Sequence, residues 1–131
     1  MQLLLVRHAQ PEVSSTLESA RWPLSAAGRR AAHGLASRLP LGEKLWLSSQ
    51  ELKAVQTLQC LTDRHQEPIL RDARFNEVHR HELFDDDFRS CRRAWVEGNM
   101  DARHTGWETP QEAASRYDEA IPAYAGQEDR L

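Results

Sequence analysis

Residues 3–11 read Leu-Leu-Leu-Val-Arg-His-Ala-Gln-Pro, and this stretch decides the predicted fold. Its four apolar residues are too few to show a helical repeat, and a polar turn ending in proline follows them at once. A short apolar run of this kind is typical of a strand buried in a parallel sheet. We therefore predict a strand over Leu3–Val6. Arg7 and His8 then lie at its carboxyl end, where ligands bind in open α/β sheets.

Arg7 and His8 together suit a phosphate group. The arginine guanidinium offers a planar set of N–H donors that matches phosphate oxygens. A neutral imidazole is a nucleophile that can carry a phosphoryl group. A dipeptide is a weak signal by itself, and a strand end with a solvated charge explains the same two residues. Other segments of the sequence distinguish between these two interpretations.

Further segments, in order along the chain, favour the phosphate interpretation. They are Trp-Pro-Leu-Ser-Ala-Ala-Gly at 22–28, Ser-Ser-Gln-Glu-Leu-Lys-Ala-Val-Gln-Thr at 48–57, Phe-Asn-Glu at 75–77, and Trp-Glu-Thr at 107–109 followed by Arg116. Together with Arg7-His8 they resemble the signature segments of the histidine phosphatase (phosphoglycerate mutase-like) superfamily. The compact loops and the 107–109 segment are more similar to its small phosphatases than to its larger mutases.

The resemblance implies a site and a mechanism. The chain would be a phosphomonoesterase for a small phosphorylated molecule, with a phosphohistidine intermediate on His8 and Glu77 as the general acid. The residues that surround the phosphate would be Arg7, Lys53, Gln10 and Ser15. The resemblance implies no cofactor and no metal, and a small-molecule phosphate ester as the binding partner.

Three departures from the family's pattern weaken the expected activity. Ala9 replaces a glycine and adds a methyl group where backbone approaches the ligand. Lys53 replaces an arginine, which exchanges a forked donor for a point charge. The family's second histidine, in a Ser-His-Gly segment, has no counterpart before Leu131. We therefore expect an impaired enzyme. The alternative is an inactive relative that binds phosphorylated ligands or protein partners.

Composition and spacing predict the class of fold. With 131 residues, of which 40% are hydrophobic, the chain suits a single domain over residues 1–131. The predicted class is α/β, with three layers and an open, mostly parallel sheet that has helices on both faces. By the resemblance, this domain is incomplete and truncated at its C-terminal end. Further short strands are predicted at Leu45–Leu47 and Pro68–Leu70.

Capping signals and apolar spacing predict the helices. The stretches with helical spacing are 24–39, 52–63, 84–95 and 110–121. Ser25 is the expected cap of the first helix. A capping box of Ser48 with Glu51 is predicted to begin the second, and the Thr-Pro-Gln-Glu of residues 109–112 to begin the fourth. Pro122 is expected to end or kink that last helix.

Net charge and cysteine spacing argue against several classes of function. The net charge of -3 provides no broad positive field, so nucleic acid and acidic membrane surfaces are not expected partners. Cys60 and Cys91 have no paired spacing, and we expect two buried thiols outside any disulfide or zinc site. We recognise no targeting segment and no apolar run of membrane length, so a cytoplasmic protein is expected.

Two further hypotheses concern metal binding and assembly. His79, His81 and His104 are candidate metal ligands, but their spacing matches no tight ligand pattern, so we expect no metal site. The resemblance implies that the absent C-terminal strand would pair beside the first strand. Leu3–Val6 would then be an unpaired apolar edge, and such edges associate with other chains. We therefore hypothesise a homodimer through the first strand.

Overall fold

The computed structural model describes residues 2–40, 42, 44–62, 68–80 and 87–125. Within these ranges the chain has a mixed α/β fold with a parallel sheet, which confirms the predicted class. The helices are α1 (Ala26–Ala36), α2 (Leu52–Thr62), α3 (Phe88–Val96) and α4 (Pro110–Ala125), and the strands are β1 (Trp46–Ser48) and β2 (Ile69–Arg71). Short 3-10 turns lie at Ser19–Arg21, Ala73–Phe75 and Ala102–His104. None of the helices in these ranges has the length and apolar character needed to cross a membrane.

The two strands confirm the predictions made for residues 45–47 and 68–70 to within one residue. β1 and β2 run parallel, with Trp46 opposite Ile69 and Ser48 opposite Arg71. α2 connects them and packs against both. Because parallel strands joined by a crossover helix end at the same edge of the sheet, the segments that leave β1 and β2 start side by side.

The prediction of a buried strand over Leu3–Val6 is wrong. These residues form no strand, and their side chains are exposed, with Leu3 at 54% and Leu5 at 82%. A strand needs a neighbour that takes up its backbone hydrogen bonds. In the part of the chain that the structure describes, the sheet pairs only β1 with β2. Among the described residues, the apolar run therefore has no neighbouring strand to bury it.

α1 begins as predicted and packs along α2. Ser25 is its cap, and the Ser25 hydroxyl accepts a hydrogen bond from the Gly28 N–H at 3.0 Å. The helix ends at Ala36, before the predicted stop at Pro40. One buried cluster contains Leu24, Ala32 and Cys60, and a second contains Trp46, Leu58 and Leu61. The core thus lies where the two helices cover β1.

The capping box predicted for Ser48 and Glu51 is not formed. Ser48 is the last residue of β1, and its buried hydroxyl has no hydrogen-bond partner among the described residues. The Ser49 hydroxyl instead accepts the Glu51 N–H at 3.3 Å. β1 extends one residue further than predicted, so Ser48 belongs to the strand and not to the turn before α2. The Glu51 side chain points elsewhere, toward Lys53 and Glu77.

α4 has the capping box that the sequence predicts. The Thr109 hydroxyl accepts the Glu112 N–H at 3.1 Å, and the Glu112 carboxylate accepts the Thr109 N–H at 2.9 Å. Pro122 does not end the helix, which continues to Ala125. Proline removes one helical hydrogen bond. Tertiary contact holds the last turn in place, because the Tyr124 hydroxyl donates to Asp72 at 2.7 Å.

α3 overlaps the stretch 84–95 that was predicted to be helical and ends one residue beyond it, at Val96; residues 84–86 are outside the described ranges. The φ of 77° at Gly98 is in the left-handed region that favours glycine after a helix. Cys91 of α3 and Cys60 of α2 are both buried, as predicted.

Candidate active site

His8 is fixed through the backbone of the next residue. The Ala9 N–H donates to the Thr57 hydroxyl at 3.0 Å, and that hydroxyl donates to the Lys53 carbonyl at 2.7 Å. Nδ1 of His8 lies 2.8 Å from the Ala9 carbonyl oxygen. When Nδ1–H donates to this oxygen, the neutral ring carries its lone pair on Nε2. Nε2 is then the ring atom available for nucleophilic attack.

Glu77 lies opposite that atom. Its Oε1 is 3.4 Å from Nε2 of His8, and its Oε2 is 3.3 Å from Nζ of Lys53. One carboxylate therefore bridges the imidazole and the ammonium group. The structure brings together three residues that the resemblance assigned to one site.

Lys53 is almost entirely buried, at 2% exposure. Its Nζ donates to the Ser19 carbonyl at 3.0 Å and to the Ser19 hydroxyl at 2.9 Å, and it lies 3.4 Å from Oε1 of Glu51. The Trp22 ring is 5.7 Å away. Burial of an ammonium group is costly unless other groups replace its water. These oxygen atoms replace the lost hydration of the Lys53 ammonium group. Lys53 lies at the centre of a charged cluster that includes His8, Glu51 and Glu77.

Two arginines that the sequence interpretation missed also approach Glu77. The guanidinium nitrogens of Arg80 and Arg92 lie 3.5 Å and 3.7 Å from its Oε2. Both side chains contact the Phe88 ring, with guanidinium carbons 5.9 Å and 4.2 Å from its centroid. Arg80 follows Glu77 in a charged segment without periodicity. The sequence gives only a weak indication of the position of Arg92. It lies four residues after Phe88, so the two side chains share one face of α3.

The charges around Glu77 determine its protonation. Partial burial raises the pKa of this carboxyl group, but the hydrogen bond from His8 and the charges of Lys53 and Arg80 outweigh that effect. The pKa of Glu77 is lowered to about 2. Glu77 is therefore ionised at neutral pH and balances the positive charge of the cluster.

Glu108 and Arg116 hold the segment that carries Glu77. The Arg116 guanidinium pairs with the Glu108 carboxylate through contacts of 2.6 Å and 2.8 Å. It also donates, at 2.9 Å, 3.1 Å and 3.2 Å, to the carbonyl oxygens of Arg74, Asn76 and Glu77. Glu108 in turn accepts the His79 N–H at 3.0 Å. This arrangement lowers the pKa of Glu108, chiefly through its hydrogen bond with Arg116.

Among the described residues, no side-chain hydrogen bond or ion pair joins the remaining predicted site residues to His8, Lys53 or Glu77. Arg7 and Ser15 are exposed, and the described residues offer their side chains neither a hydrogen bond nor an ion pair. Gln10 acts through its backbone, since its carbonyl accepts the Ser25 N–H at 2.9 Å. Ser19, from the same loop, is the serine that reaches the cluster, and no sequence motif distinguished it. The roles assigned to Arg7, Gln10 and Ser15 stay predictions.

Of the histidines considered as metal ligands, His79 and His104 lie in the described part of the chain. Both ring nitrogens of His104 are engaged, Nδ1 by the Asp101 N–H at 3.0 Å and Nε2 by the Cys91 carbonyl at 2.8 Å. His81 lies outside the described residues. Among the residues that the structure does describe, no group of three or more His, Cys, Asp or Glu side chains has an arrangement that could hold a metal ion.

A family model described as the histidine phosphatase superfamily (branch 1) matches residues 3–130. The chain belongs to the histidine phosphatase superfamily. The recognition made from the sequence segments is confirmed. A comparison with curated protein sequences finds no match.

Solved structures of other histidine phosphatases share this fold. The native structure of a mycobacterial glucosyl-3-phosphoglycerate phosphatase is 27% identical, with a TM-score of 0.67, and the match covers 92% of this chain and 62% of that one. A structure called mycobacterial hydrolase 2 is 27% identical, with a TM-score of 0.65 and coverage of 92% and 57%. A protein from Escherichia coli, proposed to be an alpha-ribazole-5'-P phosphatase, is 23% identical with a TM-score of 0.69 and coverage of 90% and 64%, which shows the fold alone. This histidine phosphatase chain spans less than two thirds of the length of each of these structures.

Proposed function

We propose that this histidine phosphatase is a phosphomonoesterase that acts on a small phosphorylated molecule. The observation that supports it best is the position of the Glu77 carboxylate between Nε2 of His8, at 3.4 Å, and Nζ of Lys53, at 3.3 Å. Phosphoryl transfer to a side chain needs a nucleophile, cations around the phosphate oxygens and an acid for the leaving group. His8, Lys53 and Glu77 correspond to these three needs.

Transfer of one proton from His8 to Glu77 produces both the nucleophile and the acid. With the proton on Nε2, the pair is an imidazolium and a carboxylate, and the nitrogen cannot attack. Transfer of that proton to Oε1 frees the lone pair of Nε2 and protonates Glu77. Nε2 then forms a bond to phosphorus as the bond to the ester oxygen breaks, and Glu77 gives its proton to the departing alkoxide.

Binding of the anionic phosphate group favours this proton shift. Lys53, Arg80 and Arg92 would turn their donors from the Glu77 carboxylate to the phosphate oxygens. Burial raises the pKa of Glu77, and the charges of Lys53 and Arg80 are part of what lowers it. The bound phosphate therefore converts an ionised carboxylate into the acid that the leaving group requires. Water attacks the phosphohistidine in the second step, with the Glu77 carboxylate as its base, and releases inorganic phosphate.

The choice of test substrates follows from the relatives. The mycobacterial enzyme that is 27% identical is named for glucosyl-3-phosphoglycerate. That compound and simple sugar phosphates are the first esters to examine. An aryl phosphate is the general probe, because its good leaving group reports the attack of His8 with little dependence on acid catalysis.

A second function is binding of phosphorylated ligands without turnover, and the contacts of Lys53 affect both functions. Its Nζ already has the carbonyl and hydroxyl oxygens of Ser19 and the carboxylates of Glu51 and Glu77 within 3.4 Å. To hold a phosphate group, the ammonium must give up part of this set. Turnover is the property that separates the two functions.

Hydrolysis of nitrophenyl phosphate by the wild type and by His8→Ala tests the proposed function. His33→Ala is the matched control, because His33 is an exposed histidine on α1. We expect turnover by the wild type and by the control, and a loss on the order of 10³-fold or more in His8→Ala. A folded wild type that binds phosphate but releases no nitrophenol would favour the binding function.

A further inference from the structure

Glu51 is a buried carboxylate that joins two residues of the candidate site. It is 7% exposed and lies in the turn between β1 and α2. Its Oε1 is 3.4 Å from Nζ of Lys53, and its Oε2 accepts the Glu77 N–H at 2.9 Å. Each carboxylate oxygen thus contacts a different member of the cluster.

The position of Glu51 just before α2 does not explain why its carboxylate is buried. The hydrogen bonds of the Glu51 carboxylate come from Lys53 Nζ and from the Glu77 N–H, and not from the first backbone N–H groups of α2. A negative charge near a helix N-terminus is favourable, but an exposed carboxylate would provide it as well. A buried carboxylate costs free energy unless it is paired and hydrogen-bonded. The partners that compensate Glu51 are Lys53 and Glu77, both members of the site.

A second contact connects the same two segments. The Gln50 N–H donates to the Asn76 side-chain carbonyl at 2.8 Å. Consecutive residues of the turn before α2, Gln50 and Glu51, therefore hold consecutive residues of the segment after β2, Asn76 and Glu77. The two contacts fix the register in which the Glu77 side chain is presented to His8.

We propose that Glu51 is a positioning residue, which holds the Lys53 ammonium and the Glu77 carboxyl group at the spacing that acid catalysis requires. This inference rests on the proposed phosphatase function. Glu51 does not touch the phosphate. It acts through Glu77, by its hydrogen bond to the Glu77 N–H, and through Lys53, by its charge.

The two actions of Glu51 affect binding and chemistry in opposite directions. Its negative charge offsets part of the attraction that Lys53 exerts on a phosphate group, so removal of the charge does not weaken phosphate binding. Its hydrogen bond to the Glu77 N–H keeps the acid in place, so removal of that bond slows protonation of the leaving group. The second effect depends on how much the leaving group needs an acid.

Glu51→Ala, which removes both the charge and the acceptor of the Glu77 N–H, is compared on two substrates to separate loss of positioning from a general loss of activity. Nitrophenyl phosphate has a good leaving group, whereas an alkyl phosphate needs the acid. We expect kcat for the alkyl phosphate to fall about 10-fold to 100-fold with KM unchanged or lower, and kcat for nitrophenyl phosphate to fall less than about 3-fold. Glu119→Gln, an exposed change on α4, is the control and should match the wild type on both. An equal loss of kcat on the two substrates, or a raised KM, would overturn the proposal.

Hydrogen exchange gives a readout that does not depend on activity. We expect the Glu77 amide to be protected in the wild type and to exchange at least about 10-fold faster in Glu51→Ala, with the amides of α2 still protected. Unchanged exchange at Glu77 in a folded Glu51→Ala would overturn the proposal, as would an unprotected Glu77 amide in the wild type. If the wild type hydrolyses neither ester, the proposed function fails. Hydrogen exchange alone then decides whether Glu51 holds Glu77.

Discussion

Nε2 of His8 lies 3.4 Å from Oε1 of Glu77, and the other oxygen of that carboxylate lies 3.3 Å from Nζ of Lys53. In the proposed reaction, one proton passes directly between the nucleophile and the acid. A change at either residue alters the proton affinity of the other. The same contacts make the stability of this region depend on pH.

Glu77→Gln tests that dependence. The pKa of Glu77 is lowered from 4.5 to about 2, so its ionised form stabilises the folded state above about pH 4.5, and this contribution is lost as the pH falls toward 2. We expect the free energy of unfolding to fall more steeply over this range in the wild type than in Glu77→Gln. Since Glu77 is partly exposed, the loss in the variant at pH 7 should be on the order of 1–2 kcal/mol.

Urea unfolding at a series of pH values measures this effect. Glu119→Gln, which changes an exposed carboxylate on α4, should keep the slope of the wild type. Equal slopes for the wild type and Glu77→Gln would show that the ionised carboxylate does not stabilise the fold.

Arg116 links α4 to the segment that carries Glu77. Arg116→Ala leaves the Glu108 carboxylate without its charged partner and removes a donor from four backbone carbonyl groups. We expect the free energy of unfolding at neutral pH to fall by about 2–4 kcal/mol. Arg116→Lys should recover only part of this, because lysine lacks the forked guanidinium.

Arg30→Ala is the matched control for these variants. Arg30 is exposed on α1, and its removal should change the free energy of unfolding by less than about 0.5 kcal/mol. If urea unfolding finds Arg116→Ala as stable as Arg30→Ala, the Glu108–Arg116 pair does not hold the Glu77 segment.

The two glycines of α1 should respond to alanine in opposite ways. A Cβ atom at Gly28 would collide with the Gln10 carbonyl oxygen, whereas one at Gly34 would meet no atom within 4 Å. We expect Gly34→Ala to raise the free energy of unfolding by about 0.5–1 kcal/mol, as alanine usually does in a helix. Gly28→Ala should lower it by about 1–3 kcal/mol. Thermal unfolding of both variants decides this, and a stabilised Gly28→Ala would mean that Gln10 does not approach α1 as described.

The exposed apolar run over Leu3–Val6 keeps the homodimer hypothesis open to test. Leu5 is 82% exposed, and exposed apolar segments with unpaired backbone groups associate with other chains. We expect sedimentation at micromolar concentration to show a dimer, and Leu5→Glu to shift it to a monomer. A wild type that sediments as a monomer would exclude self-association through this segment.

Local patterns in the sequence were sufficient wherever the structure depends on near neighbours. The caps at Ser25 and Thr109 involve residues three positions away, and both form as predicted. The Leu3–Val6 prediction failed because burial of an apolar run depends on strands supplied by distant parts of the chain. Of the two outcomes predicted at Pro122, an end of the helix does not occur, and a contact of Tyr124 stabilises the turn that follows the proline.

Prediction of the candidate site was limited in the same way, because local sequence patterns do not report contacts between distant segments. The resemblance brought His8, Lys53 and Glu77 together, and their contacts agree with that grouping. Local spacing did not reveal the roles of Glu51 and Arg80, because each depends on how one segment lies against another. Glu51 was assigned to a capping box, and only the turn before α2 in three dimensions shows that its carboxylate faces Lys53 and Glu77.

Whether His8 carries the phosphoryl group can be decided by trapping the intermediate. The wild type would be mixed with a radiolabelled phosphate ester, quenched in alkali within the first turnover, and digested to locate the label. We expect an acid-labile, alkali-stable label on the peptide that contains His8, and none on that peptide in His8→Ala. Turnover with the label on another residue, or with no labelled protein at any time, would contradict the proposed mechanism.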